Sequence, residues 1–183
     1  MSSPEPYKIV VVGDGNTGKT CLLMSYIKNE FPIDYVPTIF DNFTTQTVVD
    51  NNEHKISLWD TAGQEVYENL RTLCYPNTKC FILCYAINIR QSYANIINIW
   101  IPEIRHYSNN AAIVLVGTKS DLRVKNSSKF VTTAEGKRLC SKVNADSFIE
   151  SSAKIKHNIS EIFVEAVRAI KKQDRTLHCS DKY

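Results

Sequence analysis

Eight consecutive residues, Gly13-Asp14-Gly15-Asn16-Thr17-Gly18-Lys19-Thr20, spell G-x-x-x-x-G-K-T. A run of this kind can hold a triphosphate. Its glycines allow positive φ and close backbone approach, so successive N–H groups can point at phosphate oxygens. The apolar Cys21-Leu22-Leu23-Met24 that follows opens a helix. The unpaired N-terminal N–H groups of that helix, and its positive dipole end, face the same anion. Lys19 can reach the β and γ phosphates, and the Thr20 hydroxyl can coordinate Mg²⁺.

Further along, Asp60-Thr61-Ala62-Gly63-Gln64-Glu65 follows the short apolar run Ile56-Ser57-Leu58-Trp59. A carboxylate at a strand end beside a phosphate cradle suits Mg²⁺, usually through a coordinated water. Gly63 would let a backbone N–H approach a γ-phosphate. Gln64 is neutral and carries both donor and acceptor, so it can orient an attacking water without being a strong base. The bland alternative is a strand-to-helix turn with a capping Asp. Asp34-Tyr35-Val36-Pro37-Thr38 reads as an exposed connection, because Pro37 holds its neighbour extended and removes a donor. Thr38 could give Mg²⁺ a second hydroxyl only when a γ-phosphate draws the loop in. Taken alone, V-P-T is equally a bare turn.

Thr118-Lys119-Ser120-Asp121 could read a base. The acidic side chain can accept from the N1–H and exocyclic amine of guanine, a donor pair that adenine lacks. Lys119 can lay its methylene stem along the base plane. Ser151-Ser152-Ala153-Lys154 can offer a backbone N–H to guanine O6. T-K-x-D is common by itself; its place one strand before S-A-K gives it weight.

These residues need a scaffold that brings them together. Strand-like runs fall at 7–12, 43–49, 56–59, 80–86, 113–117 and 147–150, and helical periodicity at 18–28, 91–107, 133–143 and 159–172, with a shorter stretch at 66–73. Asp50-Asn51-Asn52-Glu53 is a hairpin turn, so the second and third strands are antiparallel. Thereafter strands and helices alternate, the pattern of right-handed crossovers and a mostly parallel sheet. The expected fold is α/β, a six-stranded mixed sheet with helices on both faces. Ligands in such sheets bind beyond the carboxyl ends of the strands. The first strand ends at Gly13, the third at Asp60, the fifth at Lys119 and the sixth near Ser152, so the motifs there can converge on one pocket. The stretch 34–38 instead connects the first helix to the second strand.

Bulk composition narrows the field. A chain of 183 residues is one domain by length, and 43% hydrophobic residues suffice for a core. We take residues 1–176 as that domain and 177–183 as a C-terminal tail. Twenty-two basic and 19 acidic residues leave a net charge of only +3, too balanced for a nucleic-acid binder, and no continuous basic stripe is present. The six cysteines show no C-x-x-C pair or zinc spacing; Cys80, Cys84 and Cys140 read as small core residues in a reducing cytosol. Neither a signal peptide nor a membrane span is evident.

In combination, the motifs at 13–20, 60–64, 118–121 and 152–154 resemble those of a Ras-superfamily small GTPase. The detail is similar to the Rho/Rac family: Tyr35-Val36-Pro37-Thr38-Ile39-Phe40-Asp41-Asn42-Phe43, Leu58-Trp59-Asp60-Thr61-Ala62-Gly63-Gln64-Glu65, and Val116-Gly117-Thr118-Lys119-Ser120-Asp121-Leu122-Arg123. The likeness runs from about residue 7 to 171. It implies a three-layer P-loop NTPase (Ras-like) fold and a monomeric switch that hydrolyses GTP to GDP with Mg²⁺. Effectors, exchange factors, GTPase-activating proteins and a dissociation inhibitor would act through 34–43, Trp59 and 64–73, with signalling to the actin cytoskeleton. Implied nucleotide contacts are Gly13, Asp14, Gly15, Asn16, Thr17, Gly18, Lys19, Thr20, Cys21, Phe31, Tyr35, Thr38, Gly63, Thr118, Lys119, Asp121, Ser152, Ala153 and Lys154. The metal ligands are Thr20, Thr38 and Asp60. Lys19 and Gln64 carry the chemistry, and Gly15 matches the glycine whose replacement blocks hydrolysis. Phe31 matches an aromatic packed edge-on to guanine. Thr118 stands where many Ras relatives carry Asn, but Rac-like members also have Thr there, so guanine selectivity is expected to be kept. Trp59 resembles a tryptophan that helps choose exchange factors; strand period puts it with Ser57, opposite Ile56 and Leu58, and partly buried packing is the alternative.

Two departures stand out. Only 123–130 separates Leu122 from the next helix, whose start Val131-Thr132-Thr133-Ala134-Glu135 reads as a cap, so the charged helical insert of the family is expected to be missing or reduced to a loop. The family usually ends in C-a-a-X after basic residues, whereas this chain ends Cys179-Ser180-Asp181-Lys182-Tyr183. Either the chain is cut short of a prenylated end that binds the cytoplasmic face of the plasma membrane, or membrane binding differs. Arg168, Lys171, Lys172 and Arg175 could begin a polybasic segment or simply be a solvated helix end. Arg71 is expected to pair locally near Gln64. Two other readings remain: an ATP-using kinase or transferase with the same cradle, and a nucleotide-dependent binding module without useful hydrolysis.

Overall fold

The computed structural model describes residues 5–32, 40–64, 67–124 and 127–180. Six strands form one sheet in the order β2-β3-β1-β4-β5-β6: β1 Tyr7–Gly13, β2 Phe40–Val49, β3 Asn52–Thr61, β4 Cys80–Ala86, β5 Ala112–Thr118 and β6 Ser147–Glu150. All neighbours are parallel except β2 and β3, which pair antiparallel from Phe40↔Thr61 to Val49↔Asn52. Asp50 (φ 52) and Asn51 (φ 63) make the connecting turn, both left-handed, as a two-residue hairpin loop matched to strand twist requires. The expected mixed, mostly parallel α/β sheet is therefore present.

Alternation along the strands divides the core between the two faces. Ile9, Val11, Ile56 and Leu58 pack with Leu22 and Leu23 of α1 (Lys19–Ile27) and with Ile162, Phe163, Ala166 and Ile170 of α6 (Ile159–Ser180). Val10, Val12, Phe81 and Leu83 pack on the opposite side with Ile96, Trp100, Ile104 and Leu139. β4 and β5 are buried along their whole length, as apolar strands covered on both faces must be. Cys80 and Cys84 lie in that core; burial pushes the Cys84 thiol up to about 12. Cys140 is half-buried instead.

The helices depart from the expected bounds where tertiary constraints act. The 91–107 helix begins at Arg90 and is interrupted: α3 (Arg90–Asn95) passes through a π turn (Ile96–Trp100) into α4 (Ile101–Tyr107). Pro102 has no N–H, and its ring would clash with the carbonyl four residues back. The backbone widens just before it, and Ile101 N–H bonds to the Ile96 carbonyl. α2 is shorter than expected, Glu68–Thr72; position 66 lies outside the described residues. α6 runs 22 residues to Ser180, past the expected end at 172 and into the segment assigned to the tail, because no Gly or Pro interrupts 173–180 and elongation adds one bond per residue. Among the described residues no helix is long and apolar enough to cross a membrane.

No helix occupies the described residues between Leu122 and α5 (Thr133–Lys142); 125 and 126 lie outside them. Two arginines stitch this loop down. Arg90 donates to the Ser128 and Phe130 carbonyls (both 3.0 Å) and to Glu135, and Arg123 donates to Val131 O (2.9 Å) and pairs with Glu150. The expected cap is present as a capping box: Glu135 N–H donates to the Thr132 hydroxyl, and Thr132 N–H donates to the Glu135 carboxylate at 2.8 Å. Arg90, with these Thr132 bonds, holds the Glu135 carboxyl down at about 2. A carboxyl depressed on folding stabilises above its unfolded value near 4.5, and that contribution fades as pH falls towards 2. Glu135→Ala is thus expected to cost about 1 kcal/mol in urea unfolding at pH 7. The gap to wild type should narrow below pH 4.5; a gap constant with pH would deny the charge its role.

Candidate functional site

The polar stretches at 13–20, 60–64, 118–121 and 151–154 lie at the carboxyl ends of β1, β3, β5 and β6, and the hydrogen bonds between them show how closely they meet. The stretch 34–38 lies outside the described residues. The cradle leaves β1 at Gly13, which only glycine can occupy: φ is +140°, and a Cβ would lie 2.2 Å from the Cys84 carbonyl oxygen. A Cβ on Gly63, past the end of β3, would fall 2.4 Å from Asp14 C and Gly15 N. The second motif is therefore packed directly on the cradle backbone.

Lys19 closes the loop on itself. Its ammonium, 6% exposed, donates to the carbonyls of Gly13 (2.7 Å) and Asp14 (2.8 Å). Burial pulls its pKa down, opposed by the nearby Asp60 and Asp14. The Thr20 hydroxyl donates to Asp60 Oδ2 at 2.7 Å, and Asp60 is fully buried. Two of the three expected metal ligands thus touch; Thr38, like Tyr35, lies outside the described residues. A hydroxyl and a carboxylate are hard oxygen donors, few enough for an ion such as Mg²⁺ that keeps several waters and substrate oxygens. Among the described residues no group of three or more His, Cys, Asp or Glu side chains could make an all-protein cage. The donor set fits a magnesium shared with a phosphate.

At the other end, a pocket of about 200 Å³ is lined by Gly18, Cys21, Leu22, Phe31, Thr118, Lys119, Asp121, Leu122, Ser151, Ala153 and Lys154. Its walls are largely apolar and its one acid is Asp121, the arrangement a flat base with a polar edge needs. The Ser152 hydroxyl donates to Asp121 Oδ1 at 2.6 Å and accepts from Ile155 N–H at 3.3 Å. Ser152 N–H pairs with the His157 carbonyl (3.1 Å), so this serine orients the acid; the main-chain N–H of Ser152 is not aimed at a base. Two side chains tie this pocket to the cradle. The Thr118 hydroxyl donates to Thr17 O (2.5 Å), with Tyr85 O 3.1 Å away as the alternative acceptor, and Lys119 Nζ donates to Asn16 O at 2.6 Å. Lys119 itself is left-handed (φ 61), a strained position that no sequence pattern announced.

The catalytic candidates also converge. Gln64 is exposed, with its Cγ 3.7 Å from where a Gly15 Cβ would sit. A second cavity of about 470 Å³ opens there, lined by Asp14, Gly15, Gly63, Gln64, Arg71, Asn95, Ile99 and Trp100. The local pairing expected of Arg71 is corrected in part. Nη1 does donate to the Gln64 carbonyl (3.0 Å), but Nε and Nη2 grip the Glu103 carboxylate at 2.9 and 2.6 Å, and the pair is buried. Glu103, thirty-two residues away, lies in the helix that the sequence marked by periodicity alone, with no functional residue named on it. Asn95 and Trp100 were missed for the same reason, yet both donate to the Asp14 carboxylate at 2.7 Å. Trp59 is half-buried on the second core cluster, with Lys8 Nζ 4.0 Å from its ring centre and its own Nε1–H donated to Ser57.

A cradle with Lys and Thr, an acid–hydroxyl pair and an acid-bearing base pocket on this sheet define a nucleotide-binding domain, and a family model described as the Ras family matches residues 8–172. The chain belongs to that family. At the level of single proteins it is similar to the Ras-like GTP-binding protein RhoL of Drosophila melanogaster, 53% identical over 174 residues that cover 95% of this chain and 92% of that protein.

Proposed function

We propose that this chain is a Rho-type guanine-nucleotide switch that binds GTP and GDP with Mg²⁺, hydrolyses GTP to GDP and phosphate, and engages effectors in its GTP state. The observation that carries the reading is the direct tie from Thr118 and Lys119 to the carbonyls of Thr17 and Asn16, which joins base pocket and phosphate cradle in one crevice. Asp121, with its rotamer set by Ser152, accepts from guanine N1–H and the exocyclic amine. Phe31 and the Lys119 stem cover the base. In hydrolysis a water attacks the γ-phosphorus in line, a new P–O bond forms, and the bond to the β–γ bridging oxygen breaks to release GDP. Lys19 and the loop N–H groups hold the phosphates while Gln64 orients the water. Thr20, Asp60 and Thr38 would hold Mg²⁺, which supplies charge neutralisation on phosphate oxygens when bound.

The Rho assignment is supported by the likeness to RhoL and by the segments around Tyr35 and Trp59. The short loop pinned by Arg90 and Arg123 replaces the charged insert, so effectors, exchange factors, activating proteins and a dissociation inhibitor use 34–43, Trp59 and 64–73. The switch is monomeric, signals to the actin cytoskeleton, and works at the cytoplasmic face of the plasma membrane.

Competition against a fluorescent GDP analogue in magnesium buffer tests the base reading. Guanine nucleotides should displace it about 10⁴-fold more tightly than ATP, because adenine lacks the donor pair that the half-buried Asp121 carboxylate can accept. Equal displacement by ATP would favour an ATP-using transferase. Gln64→Leu should keep its affinity for GTP while single-turnover hydrolysis falls about 100-fold or more. A near wild-type rate would refute the role given to Gln64.

A further inference from the structure

Asp14, the second residue of the cradle, turns its carboxylate away from the phosphate side. Oδ1 accepts from Trp100 Nε1–H and Oδ2 from Asn95 Nδ2, each at 2.7 Å. These donors are five residues apart, and in an α-helix they would point about 140° apart around the axis. The π turn at Ile96–Trp100 removes that divergence and brings both onto one carboxylate. Such turns cost hydrogen-bond geometry and often mark functional sites.

The contact continues past Trp100. The Arg71 guanidinium lies over the indole, 4.6 Å from its centre, and donates Nη1–H to the Gln64 carbonyl at 3.0 Å. Glu103 holds the other edge of Arg71, and Glu103 is fixed in turn by the Tyr75 hydroxyl. Trp100 is 1% exposed. An unbroken chain of contacts thus leads from the phosphate loop to the main chain of Gln64.

We propose that Trp100, carried on the π turn, is a positioning residue for GTP hydrolysis: it locks Arg71, and through it the Gln64 main chain, against the phosphate loop. This rests on reading Gln64 as the residue that orients the water. An amide that must orient a water tolerates little displacement, and about 1 Å can cost 100-fold.

The test compares single-turnover GTP hydrolysis with GDP dissociation in Trp100→Phe, which keeps an aromatic ring but loses the donor. Arg71→Lys, which keeps a cation for Glu103 but loses the fork, guards against misfolding of the first variant. Both should hydrolyse about 10- to 100-fold more slowly, with GDP dissociation within about threefold of wild type. Neither should slow hydrolysis further in a Gln64→Leu background. Wild-type hydrolysis in both variants beside an impaired Gln64→Leu overturns the inference and spares the function. So does a loss that adds fully to Gln64→Leu, or a parallel loss of GDP binding. Wild-type hydrolysis in Gln64→Leu alone overturns the reading beneath it, and this inference with it.

Discussion

Lys19→Ala is expected to weaken GDP and GTP binding by about 10³-fold or more while the apo protein stays folded. The ammonium does two things in one place. It donates to the Gly13 and Asp14 carbonyls, curling the loop so that its N–H groups turn to the opposite side, and it brings a positive charge into a site where water is largely excluded. Hydrogen bonds to charged groups are worth about 1.5–3 kcal/mol each, and at least two are lost on the phosphate side together with the ordering of the loop. Two such bonds give about 3–6 kcal/mol, a range centred near the 4.1 kcal/mol that corresponds to roughly a thousandfold, and the loss of loop order adds to it. Folding should suffer less, because burial opposes the charged form of Lys19 without a ligand. Titration of a fluorescent GDP analogue, alongside circular dichroism without nucleotide, separates the two effects. Affinity within tenfold of wild type would mean the phosphates lie elsewhere.

What could be read in the residues was what depends on neighbours in the chain. The strand at 80–86 was found at its expected bounds, because an unbroken apolar run has one way to be buried from both faces, and the short strand at 147–150 also kept its expected bounds. The capping box at Thr132 and the turn at Asp50-Asn51 are likewise local chemistry. The cradle was legible because a phosphate loop needs its glycines, lysine and hydroxyl within one turn. What escaped was set by partners far along the chain. Asp14 reads as a spacer between two glycines until Trp100, eighty-six residues later, donates to it. Ser152 reads as part of a main-chain donor motif, yet its hydroxyl serves Asp121. The π turn needs both Pro102 in the chain and a carboxylate in space to select it, and only the first is visible in a sequence.

The fate of Arg71 leads to the second large effect. Stabilising the charge that develops on a transferring γ-phosphoryl group calls for a guanidinium, and Arg71 is the one nearest to Gln64 in the chain. Both of its edges are committed: Nε and Nη2 to Glu103, Nη1 to the Gln64 carbonyl, with Trp100 beneath its plane. Swinging it towards the cradle would strand a buried Glu103 carboxylate whose other partner is the Tyr75 hydroxyl, a penalty of about 3–5 kcal/mol that cancels most of what the arginine could give. No other arginine lies in the cradle or in 34–38. Intrinsic hydrolysis should therefore be slow, and a partner that inserts an arginine should raise the single-turnover rate by about 10³–10⁵, or roughly 4–7 kcal/mol of barrier. A purified Rho-type GTPase-activating domain and its Arg→Ala variant provide the comparison, with GTP preloaded on this chain. The cavity beside Gly15 and Gln64 gives such a side chain room to enter. Acceleration that survives loss of the partner's arginine would show that the charge comes from within this chain. Arg71→Lys would then be expected to abolish it.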